Sequence, residues 1–132
     1  MRTTLLVSLT AGFVFLVLAV PVLAHHSFAA EFDATKPVQM TGTITKVEWM
    51  NPHVYFYMDV SESGGKVVNW ACEMGSPNAL QRQGWTRNTL QAGMKVAFEG
   101  TLAKDGTPKT NARNVTVDGK RLGAASSEGV TP

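Results

Sequence analysis

Three histidines are the residues of this sequence best suited to chemistry. His25 and His26 are adjacent, and His53 follows an Asn51-Pro52 turn signal at the entrance of a predicted strand. If the chain is cleaved after Ala24, His25 becomes the first residue, and its free amine and ring Nδ1 can chelate one metal ion. The His53 ring would add a third nitrogen, and such a nitrogen set suits Cu(II). The sequence therefore predicts a copper site at His25 and His53, with His26 as a further ligand.

The same histidines also permit an interpretation without metal. His25 and His26 would then belong to an exposed arm, and His53 would form hydrogen bonds at a strand end. No Cys-x-x-Cys or His-x-x-x-His spacing supports a metal site. Asp59 and Glu73 could support a metal as oxygen ligands or outer partners, but solvation is the expected role of each. Both interpretations of the histidines stay open at this point.

Aromatic residues next to His53 suggest a second kind of site. Trp49, Tyr55 and Tyr57 could form a stacking face for a small ligand or a partner protein of the cell envelope. Side chains of this type also pack in cores and at the ends of barrels. The sequence shows no paired-carboxylate, nucleophile–base or phosphate-loop signature. We therefore expect a binding protein and not an enzyme.

The beginning of the chain has the pattern of an export signal. Arg2 precedes an almost wholly apolar stretch over residues 5–22, and Ala24 closes a run suited to signal peptidase. This pattern predicts a signal peptide over residues 1–24 and a periplasmic or secreted protein. An uncleaved anchor is the alternative. Cleavage after Ala29 or Ala30 would instead remove both leading histidines.

Charge and cysteine content limit the partners. The chain has 12 Lys and Arg against 10 Asp and Glu, without a basic stripe, so no nucleic-acid partner is expected. Cys72 is the only cysteine, which excludes an internal disulfide. Its strand phase with Trp70 and Met74 predicts burial. The mature protein is expected to be a monomer without a membrane segment.

Alternation of apolar and polar residues predicts the strands. The pattern recurs in five segments, at residues 38–49, 54–60, 68–74, 94–100 and 111–117. The apolar phase changes after Ile44, which predicts a bulge in the first strand. Between the third and fourth strands, Ser76 suits a helix N-cap, Pro77 the first helical position and Gly84 the stop.

Three strands, a short helix and two strands predict a small five-stranded OB-fold-like barrel, with a β-sandwich as the alternative. The expected domains are the signal peptide at residues 1–24, an N-terminal arm at 25–36, the barrel at 37–122 and a disordered tail at 123–132.

Several short motifs carry a resemblance to a known family. They are the His-His-Ser-Phe start at residue 25, Gly42-x-Ile44, Trp49-x-Asn51-Pro52-His53, Ser76-Pro77-Asn78, Gly84-Trp85 and the pair Gly93 and Gly100. With this spacing the chain resembles a family of small exported bacterial proteins of unknown function. The resemblance covers nearly all of the mature chain. It implies export and a compact β domain, and it implies no activity.

Overall fold

The computed structural model describes residues 28–128. A helical turn at residues 28–31 precedes strands and one short helix. In chain order these are β1 (Phe32–Glu48), β2 (Tyr55–Ser61), β3 (Val67–Glu73), α1 (Pro77–Arg82), β4 (Lys95–Ala103), β5 (Lys109–Val117) and β6 (Lys120–Gly123). The predicted all-β class, with a short helix between the third and fourth strands, is confirmed.

The strands form one sheet in the order β3-β2-β1-β4-β5-β6, in which neighbours are antiparallel. In addition, β3 pairs in parallel with β5, with Ala71 opposite Lys109 and Glu73 opposite Asn111. Because side chains alternate along a strand, paired residues face the same side of the sheet. Glu73, Lys109 and Asn111 therefore share one face, although they are far apart in sequence.

The alternation predicted for β2 is reproduced in its burial. Phe56 and Met58 are fully buried, whereas Tyr55 and Tyr57 on the opposite face are half-buried. The phase change in β1 is also confirmed, since its register against β2 shifts between Ile44 and Lys46. The core contains large buried side chains from strands β1, β2, β4 and β5, from the end of β3 and from the α1 region, among them Ile44, Phe56, Met58, Met74, Leu80, Trp85, Val96, Phe98 and Val115.

Helix α1 has the ends that its sequence predicts. The Ser76 side chain accepts a hydrogen bond from the Ala79 N–H at 3.3 Å, and Pro77 occupies the first turn. Leu80 is fully buried, which fixes the helix against the core. Gly84 follows with φ +89°, a conformation that favours glycine at a helix end. Within residues 28–128, no helix has the length and apolar character needed to cross a membrane.

The first strand begins earlier than predicted. Phe32 pairs with Ala103 of β4 and is 2 % exposed, so the sheet already includes residues assigned to the N-terminal arm. The register is irregular between Phe32 and Pro37. There Asp33 accepts hydrogen bonds from the N–H (3.1 Å) and hydroxyl (2.7 Å) of Thr35. The first strand thus begins at Phe32 and not at residue 38, because this local turn interrupts the strand without ending it.

Strand β6 is not among the strands that the alternation of apolar and polar residues predicts. Asp118 (φ 49°) and Gly119 (φ 78°) form a two-residue turn, and Val117 pairs directly with Lys120 across it. An Asp-Gly pair between strands is a strong hairpin signal. The four residues that follow are too few to show a clear alternation. The expected five strands are therefore six in the part of the chain that the structure describes.

The predicted disordered tail does not begin at residue 123. Ala124 is fully buried, and its N–H and C=O bond to the Arg113 C=O and the Gly75 N–H, each at 2.9 Å. A Cβ at Gly75 would lie 2.4 Å from the Ala125 oxygen, so only glycine permits this approach. The small residues that predict disorder in this segment instead allow close packing. Residues 129–132 lie outside the described range.

Candidate functional site

His53 is held at the junction between the end of β1 and the start of β2. The next residue, Val54, is fully buried. Its N–H donates to the Gly75 C=O at 3.0 Å, and its C=O accepts from the Met74 N–H at 2.8 Å. These two bonds tie the His53 backbone to the segment that follows β3. The His53 side chain remains 34 % exposed and is open to solvent on one side.

The Glu73 carboxylate lies beside His53 and is the centre of a polar cluster. Glu73 is only 4 % exposed, and its Oε1 lies 3.3 Å from His53 Nδ1. The Tyr55 hydroxyl donates to Oε2, and Asn111 Nδ2 donates to Oε1 at 3.3 Å. A buried carboxylate without partners is very costly, so these contacts are what permit its burial.

Lys109 supplies the positive charge of this cluster. Its ammonium lies 3.8 Å from Glu73 Oε2 and bonds to the carboxylate of Glu31. It also lies over the rings of Tyr55 (5.4 Å) and Phe32 (5.6 Å), a geometry that favours a cation. Two carboxylates and one ammonium leave one negative charge when His53 is neutral. The surroundings of His53 therefore favour an added cation.

The two tyrosines form one stacked pair on the outer face of β2. The rings of Tyr55 and Tyr57 are 6.4 Å apart, with 26° between their planes. Burial, followed by the bond to Glu73, raises the pKa of Tyr55. Burial, followed by a 2.9 Å hydrogen bond to Glu48, raises the pKa of Tyr57. Both hydroxyls therefore remain protonated donors at neutral pH.

The predicted aromatic face is only partly assembled. Trp49 packs against the hydrophobic core, whereas the tyrosine rings lie on the outer side of β2. The ammonium of Lys46 lies 5.3 Å from the centre of the Tyr57 ring. The two tyrosine rings that a ligand could stack on therefore each have a lysine ammonium over them already, Lys109 over Tyr55 and Lys46 over Tyr57.

The predicted copper ligands lie partly outside the described residues. His25 and His26 both precede residue 28, so the structure describes only His53 of the three. Among residues 28–128, no three His, Cys, Asp or Glu side chains form a group that could hold a metal ion.

The sequence predicts the wrong surroundings for Glu73, and it does not indicate that Lys109 and Asn111 belong to the site. Glu73 was expected to be solvated but is buried, because β5 covers it. Asp59 is exposed as expected and accepts from Asn69 Nδ2 at 2.8 Å. The one available signal is the spacing of two residues in each strand, Ala71 to Glu73 and Lys109 to Asn111. It points to the cluster only if β3 and β5 are known to be paired.

Cys72 has the buried position that its strand phase predicts. Its side chain is fully buried, and the thiol is free. Burial raises the pKa of the thiol to about 12. Since the thiolate is the nucleophile and the metal ligand, Cys72 is inert at neutral pH.

Fold and site together define a small β-sheet protein in which a buried carboxylate contacts a partly exposed histidine. Comparison with protein families places this chain more narrowly. It belongs to DUF6152, a family of unknown function, whose profile matches residues 14–113. No curated protein matches the sequence.

Proposed function

We propose that this protein is exported and binds one Cu(II) ion, without catalysing a reaction. The ligands are the amine and ring of His25 and the ring of His53, with His26 as a further ligand. The observation that carries the proposal is the 3.3 Å contact between His53 Nδ1 and the buried carboxylate of Glu73. Histidines that bind metals usually donate their other ring N–H to such a group, which fixes the tautomer and the ring orientation.

The contact with Glu73 assigns different roles to the two ring nitrogens. Nδ1 faces the carboxylate, which leaves Nε2 as the nitrogen that can bind a metal. Within residues 28–128, Nε2 of His53 has no hydrogen-bond partner. The negative charge left by Glu31, Glu73 and Lys109 adds attraction for a cation at this place.

We extend the proposal to the fold, as an OB-type barrel formed by β1 to β5. Support comes from the antiparallel pairs together with the parallel pairing of β3 and β5, which links the first five strands in a cycle. A short helix between the third and fourth strands is a further feature of this class. In such a barrel the start of β2, the end of β3 and the start of β5 are adjacent, as the pairing of Tyr55 with Glu73 and of Glu73 with Asn111 requires.

The proposal is tested by Cu(II) titration of two proteins that differ only at the N-terminus. Protein beginning at His25 is expected to bind one Cu(II) with an EPR spectrum typical of nitrogen ligands. Protein with three alanines before His25 should bind much more weakly, because His25 then lacks the free amine that completes its chelate and no histidine occupies the third position, where it would form a different Cu(II) site. Equal binding by both proteins would refute the N-terminal site. Mass spectrometry of the exported protein checks that His25 is the natural first residue.

A second candidate is a metal-independent module that binds a small ligand or a partner protein of the cell envelope. The stacked pair of Tyr55 and Tyr57 favours it, since half-buried rings offer a contact surface. Tyr57→Ala is the suitable change, because Tyr55 also supports Glu73. Capture of a partner from envelope extract in the presence of chelator should be lost in this variant and retained in Tyr57→Phe. Capture that is unchanged in Tyr57→Ala would count against this face.

A further inference from the structure

A chain of hydrogen bonds connects the C-terminal segment, residues 124–128, with the carboxylate beside His53. The Glu128 N–H donates to Ser126 Oγ at 3.0 Å, and the Ser126 hydroxyl donates to Asn111 Oδ1. Asn111 Nδ2 then donates to Glu73 Oε1 at 3.3 Å. Every donor points in the same direction, and the chain ends at the oxygen that His53 Nδ1 contacts.

Glu73 and Ser126 hold the Asn111 amide between them in one orientation. Because Ser126 Oγ already accepts from a backbone N–H, its own proton is free to point at Asn111 Oδ1. The carboxylate of Glu73 can only accept, so the amide nitrogen faces it and Oδ1 faces the Ser126 hydroxyl. In the reverse orientation, Oδ1 would oppose a carboxylate oxygen within a buried site, since Asn111 is 1 % exposed.

The C-terminal segment is anchored independently of His53. The Glu128 carboxylate accepts from the Thr101 hydroxyl at 2.6 Å and lies 2.8 Å from the Arg113 guanidinium. Ala124 adds backbone bonds to Gly75 and Arg113. Ser126 is therefore held between two fixed points, which gives its hydroxyl a defined direction.

The geometry points to Asn111 and Ser126 as positioning residues for the His53 ring. They orient Glu73 so that it accepts a hydrogen bond from the Nδ1–H of His53, and the ring then presents the Nε2 lone pair to solvent. The purpose of this arrangement, a pre-oriented metal ligand, rests on the proposed function. The tautomer of His53 that it specifies does not depend on bound metal. This arrangement assigns to the end of the chain a role at a site more than 70 residues away in sequence.

The ring state is measured in metal-free protein by 15N NMR of the imidazole, at a pH where His53 is neutral. Wild-type protein should show one tautomer, with the proton on Nδ1. Ser126→Ala should give a mixture of tautomers, and Ser126→Thr should restore the single form. Ser127 is the matched control, because its side chain makes no hydrogen bond within residues 28–128. Ser127→Ala should therefore match the wild type.

Copper affinity provides the second readout. Ser126→Ala should weaken Cu(II) binding by about 10-fold or less, because it acts through Glu73, whereas loss of a direct outer partner costs ~10–100-fold. If wild-type protein binds no copper, the proposed function fails while the tautomer measurement still decides the inference. Identical ring shifts in wild type and Ser126→Ala, with both proteins folded by thermal melting, would overturn it.

Discussion

Protein with alanine in place of His53 is expected to lose more than about 100-fold of its Cu(II) affinity. Removal of a ligand should exceed the ~10–100-fold cost of disturbing an outer partner. Glu73→Gln keeps the shape of the side chain but removes its charge, so its loss should fall within that smaller range. The ranking is measured by competition against a chelator of known affinity, in protein that begins at His25.

His26→Ala is the matched control for His53→Ala. Only the first residue offers an amine and a ring together, so the loss of His26 should matter less than the loss of His53. Circular dichroism should show all variants folded, because the His53 side chain is one-third exposed. If His53→Ala binds as tightly as the wild type, the ring is no ligand and its contact with Glu73 is structural.

Trp85→Ala is expected to destabilise the fold more than any other change discussed here. Trp85 is 2 % exposed, and its Nε1 donates to the Gly123 C=O at 2.7 Å. Truncation of a buried tryptophan costs ~3–5 kcal/mol through lost burial and a cavity. For a domain of this size the melting temperature should fall by at least about 12 °C. Thermal unfolding followed by circular dichroism measures the shift.

Trp85→Phe separates packing from the hydrogen bond. Phenylalanine keeps most of the apolar volume but cannot donate to the Gly123 C=O, so its cost should be smaller than that of alanine. A melting temperature for Trp85→Ala within about 3 °C of the wild type would mean that the site collapses around the cavity or that β6 contributes little to stability.

The features that the sequence predicts correctly are those with local signals. The N-cap at Ser76 and the proline after it specify the start of α1 within a few residues. The bulge in β1 follows from a phase change that is visible in the residues after Ile44. The burial of Cys72 follows from strand alternation alone. In each case the determining residues are neighbours in the chain.

The surroundings of His53 depend on contacts that no local signal reveals. Glu73 and Asn111 are 38 positions apart and meet only through the parallel pairing of β3 with β5. Ser126 lies in a segment whose composition resembles a disordered tail. The turn before a strand is enough to identify His53 from the sequence. The carboxylate that contacts it, Glu73, can be identified only from the tertiary structure.

The parallel pairing of β3 and β5 also has a consequence for the folding reaction. Residues separated by 38 positions must meet, and the entropy cost of closing such a loop precedes any gain from contact. Proteins rich in non-local pairings fold in milliseconds to seconds, more slowly than helical proteins of equal size. We expect this seam to form after the rate-limiting barrier, so that substitutions there mainly accelerate unfolding. The polar cluster around Glu73 would then be completed only after the barrier in folding, and it would be lost before the barrier in unfolding.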